Sequence, residues 1–240
     1  MAKTKEKLID DIQLQLHQSV LTDDISIEDS QIATWASDFL NELVRRECTV
    51  AIRAGKSIPP VYIHREIDLP LTEETVADVD DTDQRMYLEL QEGEILDIED
   101  DRGIIKILDY DLNLIHKTST EDLEVIGDLR FAKSSSENPL YYRESPTKIF
   151  IKGLTSADLE FNNFMVHYVR KQDILAMGDE DEIKATDQII NALVDMCVAK
   201  GKAELYGTQP DTNSDGRDFK QLQYHRAIAN PIQSEEQPSE

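Results

Sequence analysis

Apolar residues in the first fifty positions recur at helical spacing. Leu8, Ile9, Ile12, Leu16 and Val20 fall on one face of a helix. The acidic turn Thr22-Asp23-Asp24 interrupts that pattern. Ser26-x-x-Asp29 and then Ser30 offer N-caps for a second helix. Its stripe is Ile32, Trp35 or Ala36, Phe39, Leu40, Leu43 and Val44, fading towards Ile52. Gly55 predicts a C-terminal stop, and Pro59-Pro60 bars any continuation.

From residue 61 to about 176 the period shifts towards two. Val61-Tyr62-Ile63 is a short strand-like run, and Arg85 to Leu90 alternates. Glu92-Gly93 turns the chain into Ile95-Leu96-Asp97-Ile98, and Asp101-Arg102-Gly103 turns it into Ile104 to Leu108. Leu112 to Ile115 follows. Turns between short alternating runs predict an antiparallel meander or small sandwich. Thr120 to Phe131 reads as a short helix and Ser134 to Asn138 as a loop. Leu140 to Tyr142, Lys148 to Ile151 and Phe164 to Val169 read as further strands.

A last helix is expected from roughly Glu180 to Ala203, with Ile183, Ile189, Ile190, Leu193, Val194, Cys197 and Val198 as its stripe. Residues 207–240 are polar and nearly free of aliphatic side chains, so alone they cannot bury enough surface to fold. Phe219, Leu222, Tyr224 and Ile228 are isolated anchors within them, the pattern of an arm that orders on a subunit or partner. The expected fold is α+β. A helical bundle is built from the N-terminal helices (1–57) and the C-terminal helix (178–206). An antiparallel β-rich part (58–177) is inserted between them, and an extended or disordered arm (207–240) follows. The stripe of Phe39, Leu40 and Leu43 is expected to face Ile190, Leu193 and Cys197.

Charge narrows the function. The 240 residues hold 49 Asp and Glu against 25 Lys and Arg, a net charge of −24. Such a surface repels nucleic acid and anionic membranes at long range, which argues against a role in gripping DNA. Between Glu66 and Asp101 there are fifteen acids and one base, Arg85. That stretch is either a solvated face or a negative wall, with Asp78, Asp80, Asp81 and Asp83 as candidate channel-facing acids. Cys48 and Cys197 lie far apart inside helical patterns and read as buried apolar thiols rather than a disulfide or zinc pair. No run approaches eighteen apolar residues and the basic Met1–Lys7 has no apolar run behind it, so neither a membrane span nor a signal peptide is expected.

Catalytic and ligand motifs are weak. Gly55-Lys56-Ser57 has the end of a phosphate-binding loop, but Val50 stands where the leading glycine belongs, so a helix stop is the better reading. Asp211-Thr212-Asn213-Ser214-Asp215-Gly216 has calcium-loop spacing, but Leu222 replaces the bidentate glutamate and Pro210 blocks the preceding helix. His17, His64, His116, His167 and His225 are scattered without metal-ligand spacing. No residue earns a catalytic role, and no enzyme activity, cofactor or metal is expected.

Certain segments resemble a known family. Ile9 to Leu16, Thr22-Asp23-Asp24, Asp29 to Trp35 and Ile58-Pro59-Pro60-Val61-Tyr62 are similar to the opening of tail-adaptor or ring proteins of crAss-like podoviruses. Gln172-Asp173-Ile174-Leu175, the acidic start of the last helix, and Pro210 to Asp215 match the closing part. The resemblance covers about residues 8–62 and 147–216. It implies a virion protein of the head–tail connector, made in the host cytoplasm. It implies an oligomeric ring, commonly twelvefold, between the portal protein and a neighbouring tail ring, with DNA passing through unbound. The alternative from a different class is an acidic DNA mimic or inhibitor that binds a host factor. A small enzyme is the third reading.

Overall fold

The structure, a computed structural model, describes residues 3–17, 27–77, 82–99, 102–118, 135, 138–160 and 163–207. Among them are helices α1 (Lys5–His17), α2 (Asp29–Arg53) and α3 (Asp187–Gly207). The strands are β1 (Ile63–Leu69), β2 (Leu71–Ala77), β3 (Thr82–Glu89), β4 (Ile104–Leu108), β5 (Leu114–Lys117), β6 (Leu140–Arg143), β7 (Lys148–Lys152) and β8 (Phe164–Val169).

The eight strands form one sheet in the order β1-β8-β4-β5-β6-β7-β3-β2. β1 and β2 stand at opposite edges, yet only Pro70 separates them in the chain. A flat sheet of strands about 4.8 Å apart would set its edges about 34 Å apart. Two residue steps span at most about 7 Å. The sheet therefore curls on itself, and one bent strand serves both edges. The corner is marked by a bulge between Glu66 and Leu69, by Asp68 at φ 59° and by Pro70. Leu69, Leu71, Met86, Leu88, Ile107, Ile115, Ile149, Ile151, Phe164, Val166 and Tyr168 fill the inside of the curl.

This corrects the expected helical bundle with an antiparallel insert. The curled mixed sheet is the main body, and β5 pairs with β6 in parallel. The helical stripes do not close a core among themselves. Leu8, Ile12, Leu40, Val44, Cys48, Leu193 and Cys197 share theirs with Ile58, Tyr62, Leu96, Ile98 and Val169 from the sheet side. Three helices, one of them 13 residues long, complete their core by leaning on the sheet.

Local differences have local causes. The N-cap of α2 is Glu28, without a side-chain cap bond, so Ser30, already inside the helix, does not cap it; Ser26 lies outside the described residues. Val61 lies in a 3-10 turn, Pro60–Tyr62, because the proline at its start fixes φ. Ile95–Ile98 is no strand. Ile95 faces the sheet core while Leu96 and Ile98 face the helical one. The last helix starts at Asp187 rather than near Glu180. Residues 179–183 instead run beside α1, where Asp181 and Asp179 carbonyls accept from the first-turn amides of Lys5 (3.2 Å) and Glu6 (3.1 Å). Gly55 does stop α2. At φ +66° it lets its amide reach Ile52 O and that of Lys56 reach Ala51 O, a Schellman end. The expected helix at Thr120–Phe131 and the calcium-like loop lie outside the described residues.

Candidate assembly surface

Two features of the surface have the size and chemistry to meet a partner. The first is an open groove of about 1030 Å³ between α2, the start of β1 and the segment 170–184. Its walls are fastened from the α2 side. Asn41 Nδ2 donates to Gln172 O (2.8 Å), and the Gln172 amide donates to Asn41 Oδ1 (2.9 Å). Ser37 Oγ accepts from the Ile174 amide at 2.9 Å. The groove's polar groups thus hold the segment against the helix. Below it, Tyr62 donates its hydroxyl to Glu47, and burial with that carboxylate pushes the phenol up to about 12.

At the adjacent edge of the sheet Glu66 is buried, 3% exposed. Its carboxylate accepts from the amides of Gln91 (2.9 Å) and Glu92 (3.0 Å) and from the Tyr168 hydroxyl (2.5 Å). Burial and the Glu66 carboxylate together raise the Tyr168 phenol. Three donors satisfy the carboxylate, which is what makes a buried charge tolerable. The cluster locks the 90–92 turn onto β1 and β8, a structural use of an acid that sequence reasoning counted among the solvated ones.

The second feature is the outer face of β1, β8, β4 and β5. Inward residues on these strands are Val166, Tyr168, Ile107 and Ile115, so alternation turns Met165, His167, Lys106, Leu108 and Leu114 outward. Registers align them in two rows. Arg65, His167 and Lys106 lie side by side across three strands. Met165, Leu108 and Leu114 form the next row. Leu114 is 51% exposed and Ile67, in the β1 bulge, 55%, and none of these apolar residues belongs to either core. Burial, then Lys106 and Arg65, lower the His167 imidazole.

Of the acids expected to face a channel, Asp83 lies in β3 opposite Val76, whereas Asp78, Asp80 and Asp81 lie outside the described residues. So do the arm anchors Phe219, Leu222, Tyr224 and Ile228. The basic and apolar rows went unnoticed in the sequence because each strand contributes only one or two of their members. Among the described residues no group of three or more His, Cys, Asp or Glu is placed to hold a metal, and no helix is long and apolar enough to cross a membrane.

The family model for phage tail ring protein 2 of crAss-like phages matches residues 7–216, a span that takes in every helix but the first residues of α1 and all eight strands. The chain belongs to that family. This ring protein is thus a structural component of a phage tail and a constituent of the virion. No curated protein matches it. The resemblance carried by Ile9–Leu16, Ile58–Tyr62 and Gln172–Leu175 led to the same family from both ends of the chain.

Proposed function

We propose that this ring protein is a non-enzymatic subunit that assembles with copies of itself into a ring, twelvefold, between the portal protein and the neighbouring tail ring. DNA passes through the ring without specific binding. The family match across residues 7–216 carries this reading. The net charge of −24 supports it, since a negative wall lets a polyanion slide without sticking. Asp78, Asp80, Asp81 and Asp83 face the channel or its rim, and residues 207–240 act as the arm that engages a neighbour. Imaging of purified particles, with their proteins identified by mass spectrometry, tests the assignment. A ring of this chain at the head–tail junction is expected. A chain absent from particles, and monomeric or dimeric in solution, would instead fit an acidic mimic of DNA. Replacing the four aspartates by Lys is expected to leave rings intact and to slow packaging or ejection. Deleting 207–240 is expected to leave a folded protein that no longer assembles.

A further inference from the structure

The β4–β5 hairpin ends in a tip that its own fold does not explain. A loop of Tyr110, Asp111 and Leu112 joins Asp109 to Asn113. It is closed by the Leu112 amide on Asp109 O (3.0 Å) and by the Asp109 amide on Asn113 O (3.0 Å). The Asp109 carboxylate braces it from within, accepting from the amides of Asp111 (2.9 Å) and Asn113 (2.8 Å). In loops of this length the last residue is left-handed, and glycine is its usual occupant. Here it is Leu112, at φ 64°. A Cβ makes that conformation costly, and at 65% exposure Leu112 recovers little by burial. Tyr110 and Leu114 are exposed beside it. Large apolar side chains thus stand out from a braced turn, one of them strained, and such strain collects at functional sites.

At the other end of the same strands lies the groove between α2 and the segment 170–184. Leu108 pairs with Met165 and Ile104 with Tyr168. The tip therefore extends past the start of β8, while Arg170 and Lys171, which line the groove, follow its end. The residues of β8, at about 3.3 Å each, set tip and groove roughly 20 Å apart, too far for a tip to enter the groove of its own chain. The exposed apolar residues Val61 and Leu175 line the groove together with Met177. Its volume of about 1030 Å³ is at the upper end of the roughly 300–1,000 Å³ that takes a ligand of several side chains' bulk. Charge agrees with this. Lys171 is paired with Glu94 (2.8 Å) and Lys184 with Glu182 (3.1 Å), whereas Arg170 has no ion-pair partner among the described residues. On the tip the Asp111 carboxylate has none either. Asp38 and Glu180, also in the groove wall, disfavour a strongly acidic occupant, so an apolar tip with a single open carboxylate fits it.

We propose that the β4–β5 tip of one copy of this chain seats in the groove between α2 and 170–184 of the next. Leu112 and Tyr110 lie against Val61, Leu175 and Met177, and Asp111 meets Arg170. Tip and groove are different surfaces, so the contact is heterologous, and repetition closes a ring or runs on as a filament. The braced turn arrives already in its bound shape, so little is lost to ordering at assembly. This rests on the ring reading and adds to it which parts of two copies meet.

A photo-cross-link tests it. p-Benzoylphenylalanine in place of Tyr110 keeps an aromatic ring at the tip, and irradiated benzophenone inserts into the C–H bonds it touches. In the assembled full-length chain a species at twice the chain's mass is expected on a denaturing gel, its link mapped by mass spectrometry to residues 61–63 or 170–182. A link to any other part of the chain, 207–240 included, to another virion protein, or to nothing in assembled rings overturns the contact. Wild-type chain that forms no ring, alone or in particles, overturns the ring reading itself, and the contact with it. Leu112→Asn gives the second arm, since Asn accepts the left-handed conformation. This variant is expected to melt no lower than wild type, yet to need about tenfold more chain to assemble, as when a buried anchor is lost. A lower melting temperature would show that Leu112 serves its own fold, and assembly at the wild-type concentration that the groove does not need it; either counts against the proposal. Asp111→Arg and Arg170→Asp are each expected to weaken assembly, and the chain carrying both to regain it; no recovery in the double variant counts against the contact. Should Arg170→Asp fail to fold by circular dichroism, Leu175→Ser removes the groove's apolar wall without touching charge. It is expected to assemble as poorly as Leu112→Asn, and unchanged assembly overturns the contact.

Discussion

Cys48 and Cys197 are both fully buried in the helical core, and burial pushes each thiol up to about 12. The thiolate is the reactive form, so at pH 8 iodoacetamide should label neither in the native protein and both after denaturation, read as mass added. Labelling of the folded chain within minutes would contradict their placement. That burial was legible, since each cysteine falls on an apolar stripe. Glu66 was not. It sits in a run of acids that reads as solvated, and the bulge after it hides the alternation that would have turned it inward. Glu66→Ala leaves two amides and the Tyr168 hydroxyl without their acceptor. It should cost about 3 kcal/mol in urea unfolding, the scale of buried donors left unpaired. Glu66→Gln, which keeps an acceptor oxygen, should cost less. Equal stability of Glu66→Ala and wild type would mean that water reaches this site.

Elements were legible where one periodicity runs uninterrupted. The stripe of α2 and that of α3 meet, with Leu40, Leu193 and Cys197 all at zero exposure, while Phe39 and Leu43 are only partly buried against the same core. Leu40→Ala and Leu193→Ala should each cost about 2–5 kcal/mol, measured by denaturant unfolding. A loss below about 0.5 kcal/mol at both would place the stripes at a surface instead. At the end of α2 nothing lies within 4 Å of a Cβ added to Gly55. Gly55→Ala therefore isolates the backbone cost of φ +66°, about 1 kcal/mol. β3, β4, β6, β7 and β8 also follow from alternation. β1 and β2 escaped because Glu, Asp and Thr dilute their pattern and are poor or indifferent markers of strands.

At the scale of the molecule, the pattern identified the α+β class but not the arrangement. Which strands neighbour one another depends on a corner at Pro70 and on a parallel pairing across residues 118–139, and neither leaves a periodic trace. The outer face was illegible for the same reason, since Arg65, Lys106 and His167 are brought together only by registers between strands far apart in the chain. The bent strand has a consequence for how the protein comes to exist. Its first half pairs with β8, and Glu66 meets Tyr168 across 102 residues of chain. On a ribosome the first strand emerges long before its partner, and its edge stays unpaired until nearly the whole described chain has been made. Closure of so long a loop comes late and slowly. Refolding from urea should thus take milliseconds to seconds rather than the microseconds of a helical bundle, in stopped-flow fluorescence. During that delay the open edge is a template for other chains, so the yield of refolded protein should fall as its concentration rises. A subunit proposed to join its own copies is, for that interval, most exposed to joining them wrongly.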